Sequence, residues 1–109
     1  MAYNEALVER VRYALRGAPE LVEKKMFGGV GFMVQGNMAC GVHEDGLIVR
    51  VGPEAYQRAV MEPNTRPFDL TGRPMQGWVV VVPEGYASDD DLRAWVQDGL
   101  DFALTLPAK

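Results

Sequence analysis

Lys24 and Lys25 stand just ahead of Gly28, Gly29 and Gly31 in the stretch KKMFGGVGF, residues 24–32. Basic side chains beside clustered glycines are the raw material of a phosphate cradle, in which backbone N–H groups and an ammonium surround an anion. The order is wrong for that chemistry. A Walker-type loop carries its glycines between a strand and a helix and follows them with Lys-Ser/Thr. Here the lysines come first and the residues after the glycines read as strand. The dinucleotide fingerprint fails as well, because Gly29-x-Gly31 meets Val34 where a third glycine is required. These glycines therefore read as strand glycines, present for a bulge or a close backbone approach.

His43 is the only histidine and Cys40 the only cysteine. Three residues apart on one strand, they are expected on opposite faces, so they do not share a metal. Cys40 reads as an inward-pointing thiol with the parity of Met38 and Val42, and His43 as a half-exposed strand residue. Ser88 is the only serine, and helix capping accounts for it better than a Ser-His-Asp grouping does. Asp89–Asp91 lack the alternating oxygens and glycine turn of a calcium loop. No catalytic, cofactor-binding or metal-ligating set is predicted. The methionines are spread along the chain and read as core filling, with a methionine surface for partner helices as the less favoured alternative.

The segment PNTRPFDLTGRPMQG, 63–77, is long for a small domain, and long loops often bind. Arg66 and Arg73 flank Asp69 and Thr71 there, with Phe68 available for stacking. Lys24, Lys25, Arg50, Arg66 and Arg73 form the candidate interaction or anion patch, provided the fold brings Lys24 and Lys25 near that loop.

These residues need elements to position them. Leu7, Val11 and Leu15, with Val8 and Ala14 beside them, make an apolar stripe that predicts a helix over 4–16, stopped by Gly17 and Pro19. Residues 30–35, 37–43 and 47–51 read as three antiparallel strands, with Gly36-Asn37 and 44–46 as turns. Pro53 suits the first turn of a short second helix closed by Pro63. The run WVVVV, 78–82, reads as a strand covered on both faces. Ser88 and Asp91 suggest a capping box for a last helix, in which Leu92, Trp95, Val96, Gly99, Leu100, Ala103 and Leu104 share a face. Helices beside a mostly antiparallel sheet make the chain α+β, and 109 residues make one domain with one core, spanning 1–109.

The charge is asymmetric. The formal net charge is −4, yet residues 1–75 balance nine Lys/Arg against nine Asp/Glu. The deficit lies in 76–109, where Arg93 and Lys109 face six carboxylates. Such a balance disfavours a surface built wholesale for phosphate backbones but permits a local basic patch. No run approaches the ~20 apolar residues of a membrane span, and the polar, acidic start lacks the regions of a signal peptide. With a single cysteine, this predicts a cytoplasmic protein with no membrane association.

The phrases KKMFGGVGFMVQGNMACGV, LIVRVG, RPFDLTGRPMQGWVVV and LRAWVQDGLDFALTLP occur in linked order. Together they resemble the N-terminal domain of the TfoX/Sxy family over nearly the whole chain, from about residue 10 to residue 107. The resemblance implies helix, three strands, helix, two strands and a C-terminal helix, with part of 65–70 as the strand ahead of WVVVV. Named members regulate natural competence by acting with a transcription factor on DNA, and no catalytic residues carry over. Those members continue into a second helical domain, to which nothing in these 109 residues corresponds. The expected role is a non-enzymatic regulatory module acting through a protein partner or as a homodimer. Direct nucleic-acid binding through the five basic residues, and a small anionic-ligand sensor or enzyme at 63–77, are the alternatives.

Overall fold

The computed structural model describes residues 3–26, 28–69 and 72–109; Phe27 of the glycine stretch and Thr71 of the long loop lie outside them. Helix α1, Glu5–Ala14, is capped by Asn4, whose side chain accepts from the Leu7 N–H. Four strands follow: β1 Leu21–Met26, β2 Gly29–Val34, β3 Asn37–His43 and β4 Gly46–Arg50. Helix α2, Pro53–Val60, starts on the expected proline. Strands β5, Thr65–Pro67, and β6, Trp78–Val81, precede α3, Asp89–Leu104. Ser88 caps α3 by accepting from the Asp91 N–H at 3.1 Å, beneath three aspartates that suit the positive end of the helix dipole.

The six strands form one antiparallel sheet in the order β1-β2-β3-β4-β6-β5. The expected architecture holds, with one strand more than the three-stranded meander. Strand β1 carries no apolar alternation because it is an edge and almost wholly exposed. The β2–β3 turn lies one residue earlier than expected. Gln35 and Gly36 both have positive φ, 52° and 83°, as a two-residue turn matched to the sheet twist requires, and Asn37 already pairs.

All three helices pack on one side of the sheet. Leu7, Val8, Val11 and Leu15 of α1 and Leu92 and Val96 of α3 close over Val30, Phe32, Cys40, Val42, Leu47, Val49, Val79 and Val81. Helix α2 adds Ala59. A register shift places Phe32 opposite Cys40 but Met33 opposite Met38, so Ala39 is an extra residue in β3. This bulge corrects the expected parity: Cys40 and Val42 face the helices, whereas Met38 turns to the other side with Ile48 and Val80.

Helix α3 sits directly on that bulge. A Cβ built at Gly99 would lie 2.3 Å from the Ala39 carbonyl oxygen, a backbone atom that cannot swing aside. At Gly31 the obstruction is only the Met26 methyl, at 2.9 Å, the end of a flexible side chain. Alanine gains about 1 kcal/mol over glycine in a helix interior, while forcing extra volume into a packed core costs about 1–3 kcal/mol. Gly99→Ala is therefore expected to lower stability despite its helix propensity, and Gly31→Ala to cost much less. Thermal unfolding checks this, a loss of 1 kcal/mol being worth about 4–8 °C in Tm for a domain near this size. A Tm raised by Gly99→Ala would show that α3 is not seated as described.

Candidate functional site

Among the described residues, no helix packs on the side of the sheet away from α1, α2 and α3. Residues paired across neighbouring strands share a face, so the pairings place Lys24, Gly31, Gly41, Ile48, Val80 and Arg66 in one row across the entire sheet. Five inter-strand spacings of about 4.8 Å put Lys24 and Arg66 about 24 Å apart. Beside that row run Val22, Met33 and Met38 towards one end, with Arg50 and Trp78, and Met26, Gly29 and His43 towards the other.

Glycine and methionine shape the floor together. Gly31 and Gly41 are cross-strand neighbours, and the Met38 methyl lies 2.7 Å from where a Gly41 Cβ would stand. With the Met26 methyl over Gly31, thioether tips occupy the space above both glycines, and at Gly41 the Val30 carbonyl oxygen, 2.8 Å from a built Cβ, closes it as well. At Gly29 the constraint is harder, since a Cβ there would stand 2.1 Å from the Val42 carbonyl oxygen. Gly29 and Gly31 of the opening motif thus serve close packing on the sheet, while Gly28 takes a turn position with φ 74°. Val22, half-exposed at the β1 edge, continues the apolar surface.

The loop after β5 covers one side of this face. Phe68 is buried against Ile48 and Val80, and its ring stands 6.3 Å from that of Trp78. The Arg50 guanidinium lies 5.0 Å from the Trp78 ring centroid and 5.4 Å from that of Phe102. Next to this cluster is an indentation of about 180 Å³, walled by His43, Glu44, Arg66, Phe68 and Asp69 over Ile48 and Val80. It adjoins a more open cleft of about 550 Å³ that shares His43, Glu44 and Arg66 and reaches Tyr3, Asp45 and Pro83.

The five basic residues are not one cluster. Lys24 and Lys25 occupy one edge strand and Arg66 the other, because β1 and β5 end the sheet on opposite sides. Lys25 also points the other way, sharing the helix-side face of β1 with Glu23, which pairs with core Phe32. There Arg12 donates to both Glu23 oxygens, from Nε at 2.5 Å and Nη2 at 2.8 Å, and also to Glu9. The Arg12 hydrogen bonds hold the Glu23 carboxyl below its ordinary range. Lys24 and Arg66 face the uncovered side, the Arg50 guanidinium lies at the strand end between Trp78 and Phe102 of α3, and Arg73 is exposed on the β5–β6 loop. None of these four forms an ion pair among the described residues, where the pairs are Arg10–Asp89, Arg12–Glu9, Arg12–Glu23 and Arg93–Asp90.

His43 and Cys40 do lie on opposite faces, and no group of three or more His, Cys, Asp or Glu able to hold a metal occurs among the described residues. Sequence reasoning missed the pairing of His43 with Arg66 around one indentation. No short-range pattern connects them, since β4 and β6 lie between their strands. It also placed the methionines in the core. The alternation of glycine with methionine in GVGFMVQGNMACG was the available signal for a thin, uncovered face.

The architecture is a two-layer α+β fold, with three helices on one side of a six-stranded antiparallel sheet. Residues 13–103 match the TfoX N-terminal domain family, and the chain belongs to that family. No curated protein and no solved structure matches it. No described helix is long and apolar enough to cross a membrane.

Cys40 lies wholly inside the helix-side core, and burial pushes its thiol up to about 12. An unfolded thiol ionises near 8.5. The stability from keeping Cys40 neutral is therefore complete below about pH 8.5 and falls as pH rises towards the native value. Dithionitrobenzoate at pH 8 is expected to leave the native protein unlabelled and to titrate one thiol in guanidinium. Replacing Cys40 with alanine should flatten the alkaline loss of stability. Rapid labelling of the folded chain would contradict the placement of Cys40.

Proposed function

We propose that this chain is a non-enzymatic regulatory module that works by binding another protein chain through the uncovered face of its sheet. One observation carries the reading: the three helices lie on one side, and the other side carries exposed Val22 and half-buried Met26, Met33 and Met38, with Lys24 and Arg66 forming no ion pair among the described residues. Methionine suits a recognition surface because its unbranched, polarisable side chain can repack around different partners. The family match agrees with an interaction role, and the regulation of transcription by named relatives of the domain is the context in which we place it.

Direct nucleic-acid binding through the same cations is the weaker alternative. Phe68 is buried, while Trp78 is flanked by Phe68 and Arg50, so the face does not offer free rings for base stacking.

The test combines affinity capture from native lysate of the source cell with analytical ultracentrifugation. It compares the wild-type chain with Val22→Glu/Met33→Glu, two cross-strand neighbours on the open face. A discrete partner, or a dimer, that the wild type forms and the double variant loses at unchanged Tm is the expected outcome. A wild-type chain that stays monomeric and captures nothing specific would overturn the proposal. Retention of the same partner by the double variant would move the interface elsewhere.

A further inference from the structure

We propose that the chain pairs with a second copy of itself along the free edge of β1, extending the six-stranded sheet across a two-fold axis. The contact is made by the strand edge and not by the open face assigned above, so it stands whatever that face binds.

An edge strand exposes a row of backbone N–H and C=O groups that can pair with another strand. The two edges of this sheet are not equally open to that. Strand β5 has only three residues, ends on Pro67, which has no N–H to donate, and leads directly into the loop carrying Phe68. Strand β1 has six residues, a length of about 20 Å, and its four central residues are exposed. Its pairing with β2 runs without a register shift from Leu21 to Met26. Val22, one of the few large hydrophobic side chains left exposed, stands on this edge at 50%.

The side-chain order of β1 is complementary to itself. Val22, Lys24 and Met26 lie on the open side, opposite Met33, Gly31 and Gly29. Leu21, Glu23 and Lys25 lie on the helix side, opposite Val34, Phe32 and Val30. When two copies keep their helices on the same side of one continuous antiparallel sheet, residues facing each other across the junction come from the same face. The two centrings that keep most of the strand paired are then Glu23 and Lys24. Centred on Glu23, the junction sets that carboxylate against its own copy and Val22 against Lys24. Centred on Lys24, it sets Glu23 against Lys25 of the other copy twice, and Val22 against Met26 twice. Opposite charges and apolar pairs facing each other across strands are stabilising, and like charges are not. The second centring therefore wins, with one Lys24–Lys24 repulsion at the axis.

The groups needed for these pairs are in place within each chain. Arg12 fixes the Glu23 carboxylate through two hydrogen bonds, and each carboxylate oxygen can accept more than one. Lys25 forms no ion pair among the described residues, so its ammonium is available to the other copy. A junction one strand long is a small interface, below about 1,200 Å² in total, the class of weak and transient association.

Sedimentation equilibrium at low salt, over protein concentrations from about 1 μM to about 1 mM, tests the inference. The wild type is expected to form a dimer in that range. Glu23→Lys and Lys25→Glu are each expected to remain monomeric, because one carries cations at both positions and the other carboxylates at both. Mixed together, the two variants recover both opposite-charge pairs and are expected to associate one to one. Lys24→Gln removes the repulsion at the axis and should tighten the dimer several-fold. Circular dichroism establishes that each variant is folded. Lys25→Glu breaks no ion pair of the folded chain, so its loss of the dimer serves as the test even where Glu23→Lys fails to fold without its Arg12 contact. A wild type that stays monomeric throughout, a dimer that both charge variants keep, or folded variants that do not associate when mixed would each overturn the inference. A dimer lost in Lys24→Gln would place Lys24 instead of Lys25 opposite Glu23 and overturn it as well. Glu23 and Lys25 lie on the helix side, so these variants leave capture of a partner by the open face unchanged, and the two proposals fail separately.

Discussion

The two layers are joined by the seating of α3 on the bulge of β3. With no side chain at Gly99, the helix backbone comes down onto the Ala39 carbonyl. The bulge directs both Ala39 and Cys40 towards the helices, where α3 buries Ala103 against Ala39 and Val34 and packs Leu92 and Val96 into the main core. The same extra residue sends Met38 to the opposite face. One irregularity in one strand therefore fixes how closely the helices pack and what the uncovered face displays. Buried apolar area supplies the stabilisation, but the bulge decides its distribution between the two sides.

Holding the helical layer in place takes few polar contacts, all at its borders. Arg12 of α1 grips Glu23 of β1 with two donors, tying the first helix to the edge strand. Arg10 donates to the Tyr86 carbonyl and pairs with Asp89, linking α1 to the start of α3, while the Tyr86 hydroxyl donates to the Asp45 carbonyl. At the other end Asn37 donates to the Pro107 carbonyl and Lys109 donates its backbone N–H to Gln35. Exposed ion pairs contribute little individually, about 0–1 kcal/mol, so these contacts orient the layers more than they stabilise them. Three arginines or lysines of the helix layer, Arg10, Arg12 and Arg93, are spent on carboxylates in this way. Those on the open face are not.

The α+β class, all three helices and the meander after residue 29 were legible because each rests on local rules: a helical stripe, a proline at a helix start, a serine cap, a turn between apolar runs. Strand β1 was not, because Val22–Lys25 is exposed on an edge and shows neither alternation nor burial. The parity of Met38 was misread for a different reason. A bulge is a tertiary accommodation, and period-two counting carries no mark of it at Ala39. The five basic residues were chosen by type, and type alone does not give strand order. With β1 and β5 on opposite edges, Lys24 and Arg66 become the two ends of one row, and Lys25, one residue on, belongs to the other side. His43 and Arg66 meet only because β4 and β6 bring β3 and β5 into one face.

The glycine-methionine alternation then takes on a physical sense that neither residue has alone. A strand glycine weakens a sheet and leaves a gap; a methionine on a sheet face is a long side chain with loose torsional preferences. Set across from one another, Gly31 and Gly41 provide the gap and Met26 and Met38 lie in it. The space above the two glycines is thus filled by thioether tips. A face tiled with valine or isoleucine would be just as apolar but stiffer at χ1. The stiff β-branched residues instead fill the helix side, at Val30, Val42, Val49, Val79 and Val81, where one fixed partner is already in place.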